Sequence, residues 1–241
     1  MVDELTGLNR VPDFLRGPVC EYAALLRETA GPNARSLTLF GTVVAGTFDP
    51  GRHTVRSVLL LGEIDLDGLR RLAERGAKLG KHYISAPLVM TPDYIAESLD
   101  TFPLELLEIQ QRHVTLFGED CFADLKFQAQ DVRLQCEREM KVTLIGLRQG
   151  LLAAAGRERT LGRLQEDAMG ALLRTLRGML WLKGQTHGLA APDVVDAVEH
   201  VTARRLDGLR SALDPTENHG WPQFERLYHD VAALCDVVNA W

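Results

Sequence analysis

The pattern of hydrophobic residues changes near residue 128, and this change constrains the fold more than any other feature of the sequence. Before it, short apolar runs of the kind found in strands alternate with stretches of helical periodicity. After it, apolar residues recur every three or four positions, as on one face of an α-helix. We therefore predict an α+β domain over residues 1–128, with a mixed β-sheet flanked by helices, and an all-α antiparallel helical bundle over residues 129–241.

The first part contains five short apolar runs typical of strands. They cover residues 37–40, 55–61, 87–90, 104–109 and 114–117. Helical spacing predicts two helices, over residues 11–28 and 65–79. A shorter helix is predicted after Thr91, because Thr91-Pro92 supplies an N-cap followed by proline at the first helical position.

The second part contains four amphipathic segments, over residues 136–151, 161–179, 195–213 and 224–238. In the first of them, Cys136, Met140, Leu144, Leu147 and Leu151 share one helix face. Short connections between the segments favour antiparallel neighbours. The sequence therefore predicts a four-helix bundle with these stripes as its core.

Charge, cysteine content and the first residues exclude several classes of protein. The net charge of −6 gives no bulk attraction for nucleic acid. The four cysteines form no C-x-x-C pair, and the seven histidines show no metal-ligand spacing. No apolar segment resembles a signal peptide or is long enough to cross a bilayer. We expect a cytoplasmic protein that binds neither a membrane nor nucleic acid.

The most informative segment is the run Ser36-Leu-Thr-Leu-Phe-Gly-Thr-Val-Val-Ala-Gly46, followed by the apolar strand at 55–61. It resembles the start of a minimal nucleotidyltransferase domain of the polymerase-β type. In that family a strand ends in Gly-Ser, a short helix and a loop follow, and the next strand carries Asp-x-Asp. The Gly-Ser turn lets backbone amides and a hydroxyl approach nucleotide phosphates, and the acids hold magnesium ions.

A later segment extends the resemblance to about 90 residues. Residues 103–109 are similar to the strand that carries the family's third acid. Residues 113–120 are similar to the next strand, which ends in an aromatic-Gly-Glu-Asp turn. The resemblance implies that Glu105 occupies the third acidic position, with Glu108 as the second choice.

The sequence departs from the family at the metal-binding positions. Alignment of the apolar strands places Thr54 and Arg56 at the Asp-x-Asp positions, and a shift of one residue gives Val55 and Ser57 instead. Neither register contains a carboxylate. Arg56 has two interpretations: its guanidinium contacts phosphate oxygens where the family uses a metal, or it forms an ion pair with Glu105 or Asp49.

These observations leave three hypotheses for the function. The first is a pseudoenzyme without a metal or other cofactor, which binds a nucleotide or associates with a protein. Its nucleotide-binding residues would be Gly41, Thr42, Gly46, Thr54 and Arg56, with Glu105 as a remnant of the catalytic set. The second is an active transferase whose magnesium is held by Glu105, Glu108 or Asp49. The third is a structural or oligomerising module, with a protein partner or a second copy of the chain.

Overall fold

The computed structural model describes residues 5–76, 83–185, 190–214, 216 and 220–241. Contacts divide the chain into two compact units. The first consists of Met1–Leu99 with Glu108–Lys126, and the second of Asp100–Leu107 with Phe127–Trp241. The boundary predicted at residue 128 assigns residues 100–107 to the first domain, whereas in the structure they belong to the second unit.

The first unit is built on a mixed β-sheet. Within the described residues its strands are β1 (Ala34–Phe40), β2 (Arg56–Leu61), β3 (Leu88–Met90) and β4 (His113–Gly118), in the spatial order β3-β2-β1-β4. Strand β1 is antiparallel to β2 and β4, and β2 is parallel to β3. The predicted α+β class, with a mixed sheet followed by helices, is confirmed.

The helices of the first unit include α1 (Asp13–Ala30), α2 (Leu66–Gly76) and α3 (Pro92–Glu97). The apolar side of α1 packs on one face of the sheet, where Tyr22 is buried and its hydroxyl lies 2.8 Å from Ser57 Oγ. The predicted cap of α3 is confirmed, since Thr91 Oγ1 accepts a hydrogen bond from Tyr94 N. The last residues of the helix predicted over 65–79 lie outside the described residues.

The segment before α1 follows the outer side of β4. Thr6 N donates to Leu116 O at 2.8 Å, and Thr6 Oγ1 donates to Thr115 O at 2.6 Å. Arg10 Nη1 donates to His113 O at 2.9 Å. These bonds satisfy carbonyl groups of β4 on the side away from β1.

The strand predicted over residues 104–109 is wrong, because this segment forms helix α4 (Pro103–Gln111). Leu104, Leu106, Leu107 and Ile109 are all buried. A short apolar run that is buried on several sides carries no periodicity with which to separate strand from helix. Proline at the first position favours a helix start, and the buried Gln135 accepts a hydrogen bond from Leu104 N at 2.8 Å.

The second unit is helical. Its remaining helices in the described residues are α5 (Ala129–Ala154), α6 (Glu158–Leu182), α7 (Ala191–Thr202), α8 (Asp207–Leu213) and α9 (Trp221–Asn239). The predicted apolar stripes form its core, which includes Cys136, Met140, Leu172, Val198 and Leu227. No strand follows β4 in the part of the chain that the structure describes.

The third predicted segment, 195–213, is two helices rather than one. The break lies at Ala203, whose φ of 51° is left-handed and ends α7. The Glu199 carboxylate accepts a hydrogen bond from Leu206 N at 2.6 Å and so stabilises the start of α8. None of the helices in the described ranges is long and apolar enough to cross a membrane.

Candidate functional site

A tight turn follows β1 directly. Gly41 begins a single 3-10 turn with a φ of 81°, a conformation that favours glycine. Val44 N and Ala45 N donate to Gly41 O at 3.2 and 3.1 Å, and Gly41 N donates to Arg112 O at 2.9 Å. Gly41 and Thr42 therefore begin a single 3-10 turn, where the resemblance implies a short helix.

Arg56 is the first residue of β2 and pairs with Phe40 across the sheet. Its guanidinium lies over the Phe40 ring, 4.4 Å from the centroid. Its Nη1 lies 3.5 Å from Glu108 Oε1, and 3.9 Å from the point where a Cβ would stand on Gly41. The Arg56 side chain is 44% exposed and that of Glu108 only 15%. The arginine is therefore oriented by its neighbours and still accessible to solvent.

The ion-pair partner of Arg56 differs from both residues that the sequence predicts. The pairing with Glu105 or Asp49 is wrong, because Glu108 occupies that place. Asp49 forms its own turn instead, where Oδ1 accepts from Gly51 N at 2.8 Å. Glu108 could not be chosen from the sequence because α4 is predicted as a strand.

A second arginine lies close to Glu108. Arg112 is 8% exposed, and its buried Nε has no hydrogen-bond partner among the residues that the structure describes. Burial lowers the pKa of Arg112, and the Glu108 carboxylate offsets part of this effect. Two guanidinium groups thus interact with Glu108 beside the Gly41 turn. The arrangement is suited to holding an anion, since a guanidinium binds carboxylate or phosphate oxygens through several N–H groups.

The alternative registers of β2 are distinguished by burial. Val55 and Ser57 are buried, and Ser57 bonds to Tyr22 in the core beneath α1. Thr54 and Arg56 are exposed. The register with Thr54 and Arg56 at the Asp-x-Asp positions is therefore the one whose side chains lie outside the core.

Gly46 lies at the end of the loop that begins with the Gly41 turn. It is exposed and has a φ of 73°. Thr47 N, the next donor along the chain, bonds to Thr42 O at 3.3 Å. The structure thus brings Gly41 and Thr42 close to Arg56 through the turn, while Gly46 belongs to the loop that leads away from it.

Glu105 lies elsewhere. It is in the first turn of α4 and belongs to the second unit. Its Oε1 accepts from Arg174 Nη1 at 2.8 Å, and its Oε2 accepts from Gln135 Nε2 at 2.7 Å. Because the strand predicted over residues 104–109 is a helix, Glu105 does not occupy the third acidic strand position that the resemblance implies. These bonds give Glu105 a structural role within the helical unit.

The donor groups around Arg56 do not fit the magnesium site of the polymerase-β pattern. Magnesium requires carboxylate ligands: Thr54 and Arg56 supply none, and Glu108, the carboxylate beside Arg56, is paired with that guanidinium. The neighbouring strand β3, with the segment that leads into it from Ile84, contains no acidic residue. Among the described residues, no group of three or more His, Cys, Asp or Glu side chains is arranged to hold a metal ion.

Sequence analysis missed two residues of this cluster, Phe40 and Arg112. Phe40 directly precedes the glycine turn, so an aromatic at the end of β1 was a local signal. Glu108 and Arg112 are four residues apart, which is the spacing of neighbours on a helix. That signal was hidden while residues 104–109 were assigned to a strand.

A search of solved structures gives the fold a name. The chain matches the spectinomycin adenyltransferase AAD(9) from Enterococcus faecialis, solved with ATP and spectinomycin, with a TM-score of 0.57 and 11% sequence identity. The match covers 92% of this chain and 98% of that chain. The fold is that of a nucleotidyltransferase. The nucleotidyltransferase-like fold extends beyond the sheet to the helical region, because nearly the whole of both chains is matched. No protein-family model and no curated protein matches the sequence.

Proposed function

We propose that the protein binds a nucleoside triphosphate beside the Gly41 turn, and that Arg56 supplies the positive charge that a metal supplies in transferases. The supporting observation is the position of Arg56 and the groups around it. It stands at an Asp-x-Asp position of the resemblance, projects outside the core and lies against Phe40 and Gly41. A nucleotidyltransferase fold with ATP in a structural neighbour makes a nucleotide the ligand of choice.

A phosphate that binds at this site replaces Glu108 as the partner of Arg56. Arg56 is paired with Glu108, at an N to O distance of 3.5 Å that is longer than a hydrogen bond. A phosphate can replace this weak contact with charge-assisted hydrogen bonds. Arg112 interacts with Glu108 as well, so the carboxylate keeps a positive neighbour when Arg56 turns to the ligand.

Small residues give the ligand access to the backbone. Gly41 has no side chain between its backbone and Arg56, and the half-buried Thr42 follows with a hydroxyl. In the proposed complex the Thr42 hydroxyl contacts the same phosphate group as Arg56, and Gly41, whose N–H is bonded to Arg112 O, leaves room for that group. Gly46 and Thr54 border the site on the loop and strand sides.

The same residues argue against nucleotide transfer. Two-metal transfer requires carboxylates that bridge two cations. Arg56 repels a divalent ion instead, and the repulsion is strongest where the effective dielectric is about 20 rather than that of water. We therefore assign the protein to binding rather than catalysis.

Calorimetric titration with ATP, with and without magnesium, tests this proposal. We expect binding in metal-free buffer, with magnesium giving no gain in affinity. Arg56→Met should weaken ATP binding at least tenfold, because it removes the cation and keeps the apolar stem. Arg52→Met is the matched control, since Arg52 lies in the adjoining loop and is exposed. Equal affinity for both variants would contradict the assignment of Arg56.

A double variant tests the register of β2 at the Asp-x-Asp positions. Thr54→Asp combined with Arg56→Asp should bind magnesium more tightly than the unaltered protein, measured by titration with the metal alone. Glu105→Gln should leave ATP affinity unchanged, because Glu105 is bonded within the helical unit. Magnesium-dependent nucleotide transfer by the unaltered protein would favour the active-enzyme hypothesis instead.

A further inference from the structure

A cavity of about 460 Å³ lies in the first unit, between α1, α2 and the chain that leads into β3. Its floor is formed by the buried Tyr22, Leu26 and Ile84, and its walls include the half-buried Leu72 and Val89. Ligand pockets in proteins ordinarily have volumes of about 300–1,000 Å³ and walls that are mostly apolar. The cavity therefore has the size and the lining of a small-molecule site.

This cavity is separate from the Gly41 turn. Ser57 bonds to Tyr22 on the side of the sheet that α1 covers. Arg56 precedes Ser57 in β2, and successive side chains of a strand project to opposite faces. A molecule in the cavity would therefore leave the proposed phosphate site open.

Helix α2 forms one wall of the cavity. Leu69, Leu72, Ala73 and Gly76 line it and follow the i, i+3, i+4, i+7 spacing of one helix face. All eleven residues of α2 belong to the described part of the chain, and none of them is buried. An amphipathic helix ordinarily packs such a face directly on the core. A molecule held between α2 and α1 would bury apolar surface of both helices.

The hydroxyl groups at the cavity wall are already paired within the protein. The Tyr22 hydroxyl lies 2.8 Å from Ser57 Oγ, and Ser85 Oγ donates to Val55 O at 2.9 Å. Pro87, beside them, has no N–H group to donate. Polar groups on a ligand would therefore be desolvated here without new hydrogen bonds to these hydroxyls, which is unfavourable.

The arginines of α2 also have partners. Arg75 Nη2 lies 2.9 Å from Glu28 Oε1, and Arg75 Nη1 donates to Thr29 Oγ1 at 3.2 Å, so that the end of α2 is linked to the end of α1. Arg70 and Arg71 are paired with acidic residues of their own segment. An anionic ligand would have to displace one of these contacts, whereas an uncharged ligand would not.

We propose that this cavity binds an uncharged, apolar small molecule, aromatic or aliphatic, which packs between α1 and α2. The paired hydroxyls and arginines exclude a ligand that depends on polar groups, and the apolar lining provides the contact. The volume favours a small molecule over a protein partner. Each partner in a stable protein complex buries roughly 800 Å², whereas this cavity is walled on three sides and has the volume of a ligand pocket.

Fluorescence titration of the full chain with two related dyes tests the class of ligand. N-phenyl-1-naphthylamine is uncharged, and 1-anilinonaphthalene-8-sulfonate has the same ring system with an added anionic group. The emission of both dyes rises in apolar surroundings. We expect the uncharged dye to bind saturably, one molecule per chain, and at least tenfold more tightly than the sulfonate.

Two pairs of variants locate the binding site. Val89→Phe fills the cavity without adding charge and should weaken binding of the uncharged dye at least tenfold. Leu88→Phe is the matched control, because Leu88 is the preceding residue of β3, projects to the opposite face and is 45% exposed. Leu72→Glu should weaken binding as well, whereas Leu66→Glu, on the same helix at an 81% exposed position, should not. Circular dichroism confirms that each variant is folded.

The result is independent of nucleotide binding. Arg56→Met should leave the affinity for the uncharged dye unchanged, so this proposal and the nucleotide proposal are tested separately. No saturable binding of the uncharged dye, equal affinity for the two dyes, or unaltered binding by Val89→Phe would each overturn the proposal.

Discussion

A single residue, Arg56, sets this chain apart from the pattern that it resembles. At an acidic position of the resemblance, the chain carries an arginine, which reverses the sign of the local charge. The fold accommodates it through groups that carry no metal, the Phe40 ring and the Glu108 carboxylate. The position of Arg56 could be predicted from the sequence because it depends on strand register. Its partner could not, because Glu108 is distant in sequence.

Asp120 is a second residue whose charge stabilises the local structure. Its carboxylate accepts hydrogen bonds from Phe122 N at 3.0 Å and Ala123 N at 3.2 Å, and lies 2.9 Å from His113 Nε2. Partial burial raises the pKa of Asp120, but the hydrogen bonds from His113 and the two amides lower it by more. The net shift of the pKa is therefore downward. The ionised form therefore stabilises the turn after β4.

We predict that Asp120→Asn lowers the free energy of unfolding at pH 7. A carboxyl whose pKa is depressed in the folded state stabilises the protein above its unfolded pKa, and this contribution is lost as pH falls through the folded value. The difference in stability between the two proteins should therefore shrink below about pH 4. Urea denaturation between neutral and acidic pH measures this. A difference that is constant across the range would contradict the prediction.

At the scale of elements, caps and turns could be predicted well because they depend on a few adjacent residues. Thr91 caps α3 and Gly41 begins the turn after β1, both as expected. The errors arose where the sequence is locally ambiguous. Residues 104–109 are apolar without a period, and the break in the third amphipathic segment has an alanine, not a glycine, at its left-handed position. Contacts with residues distant in sequence, such as that of Gln135 with Leu104, determine the conformation of such segments.

Alanine in left-handed conformation leads to a prediction about the end of α5. Ala155 has a φ of 47°, which costs a residue with a side chain about 1–2 kcal/mol. Ala155→Gly should therefore stabilise the protein by about 0.5 kcal/mol, after the entropy that glycine adds to the unfolded chain is subtracted. Thermal denaturation measures the change. The control Ala171→Gly lies at an exposed position in the interior of α6, where glycine should destabilise by about 1 kcal/mol.

At the scale of the whole molecule, two separate cores explain how much could be predicted. The first unit is built around the sheet and α1, and the second around the apolar faces of its helices. Each core has its own periodicity, two for strands and 3.6 for helices, so the fold class followed from the pattern alone. The assignment of residues 100–107 to the helical unit could not be predicted, because it depends on Leu104, Glu105 and their contacts within that unit.

The candidate site was predictable to the extent that it is local. The glycine turn and strand β2 are each continuous in sequence, and the pairing of Arg56 with Phe40 brings them together at the end of β1. The cluster of Arg56, Glu108 and Arg112 also depends on helix α4, which carries Glu108 and ends just before Arg112. Its geometry therefore required the tertiary structure.

The segment along β4 has a practical consequence for handling the protein. Thr6 and Arg10 bond to carbonyl groups that would otherwise form an open sheet edge, and such edges pair with other chains and promote aggregation. A chain truncated before residue 11 should form aggregates that scatter light. Removal of residues 1–4 alone, which keeps Thr6 and Arg10, should leave the protein dispersed. Shortened versions of the protein made for crystallisation should therefore retain Thr6 and Arg10.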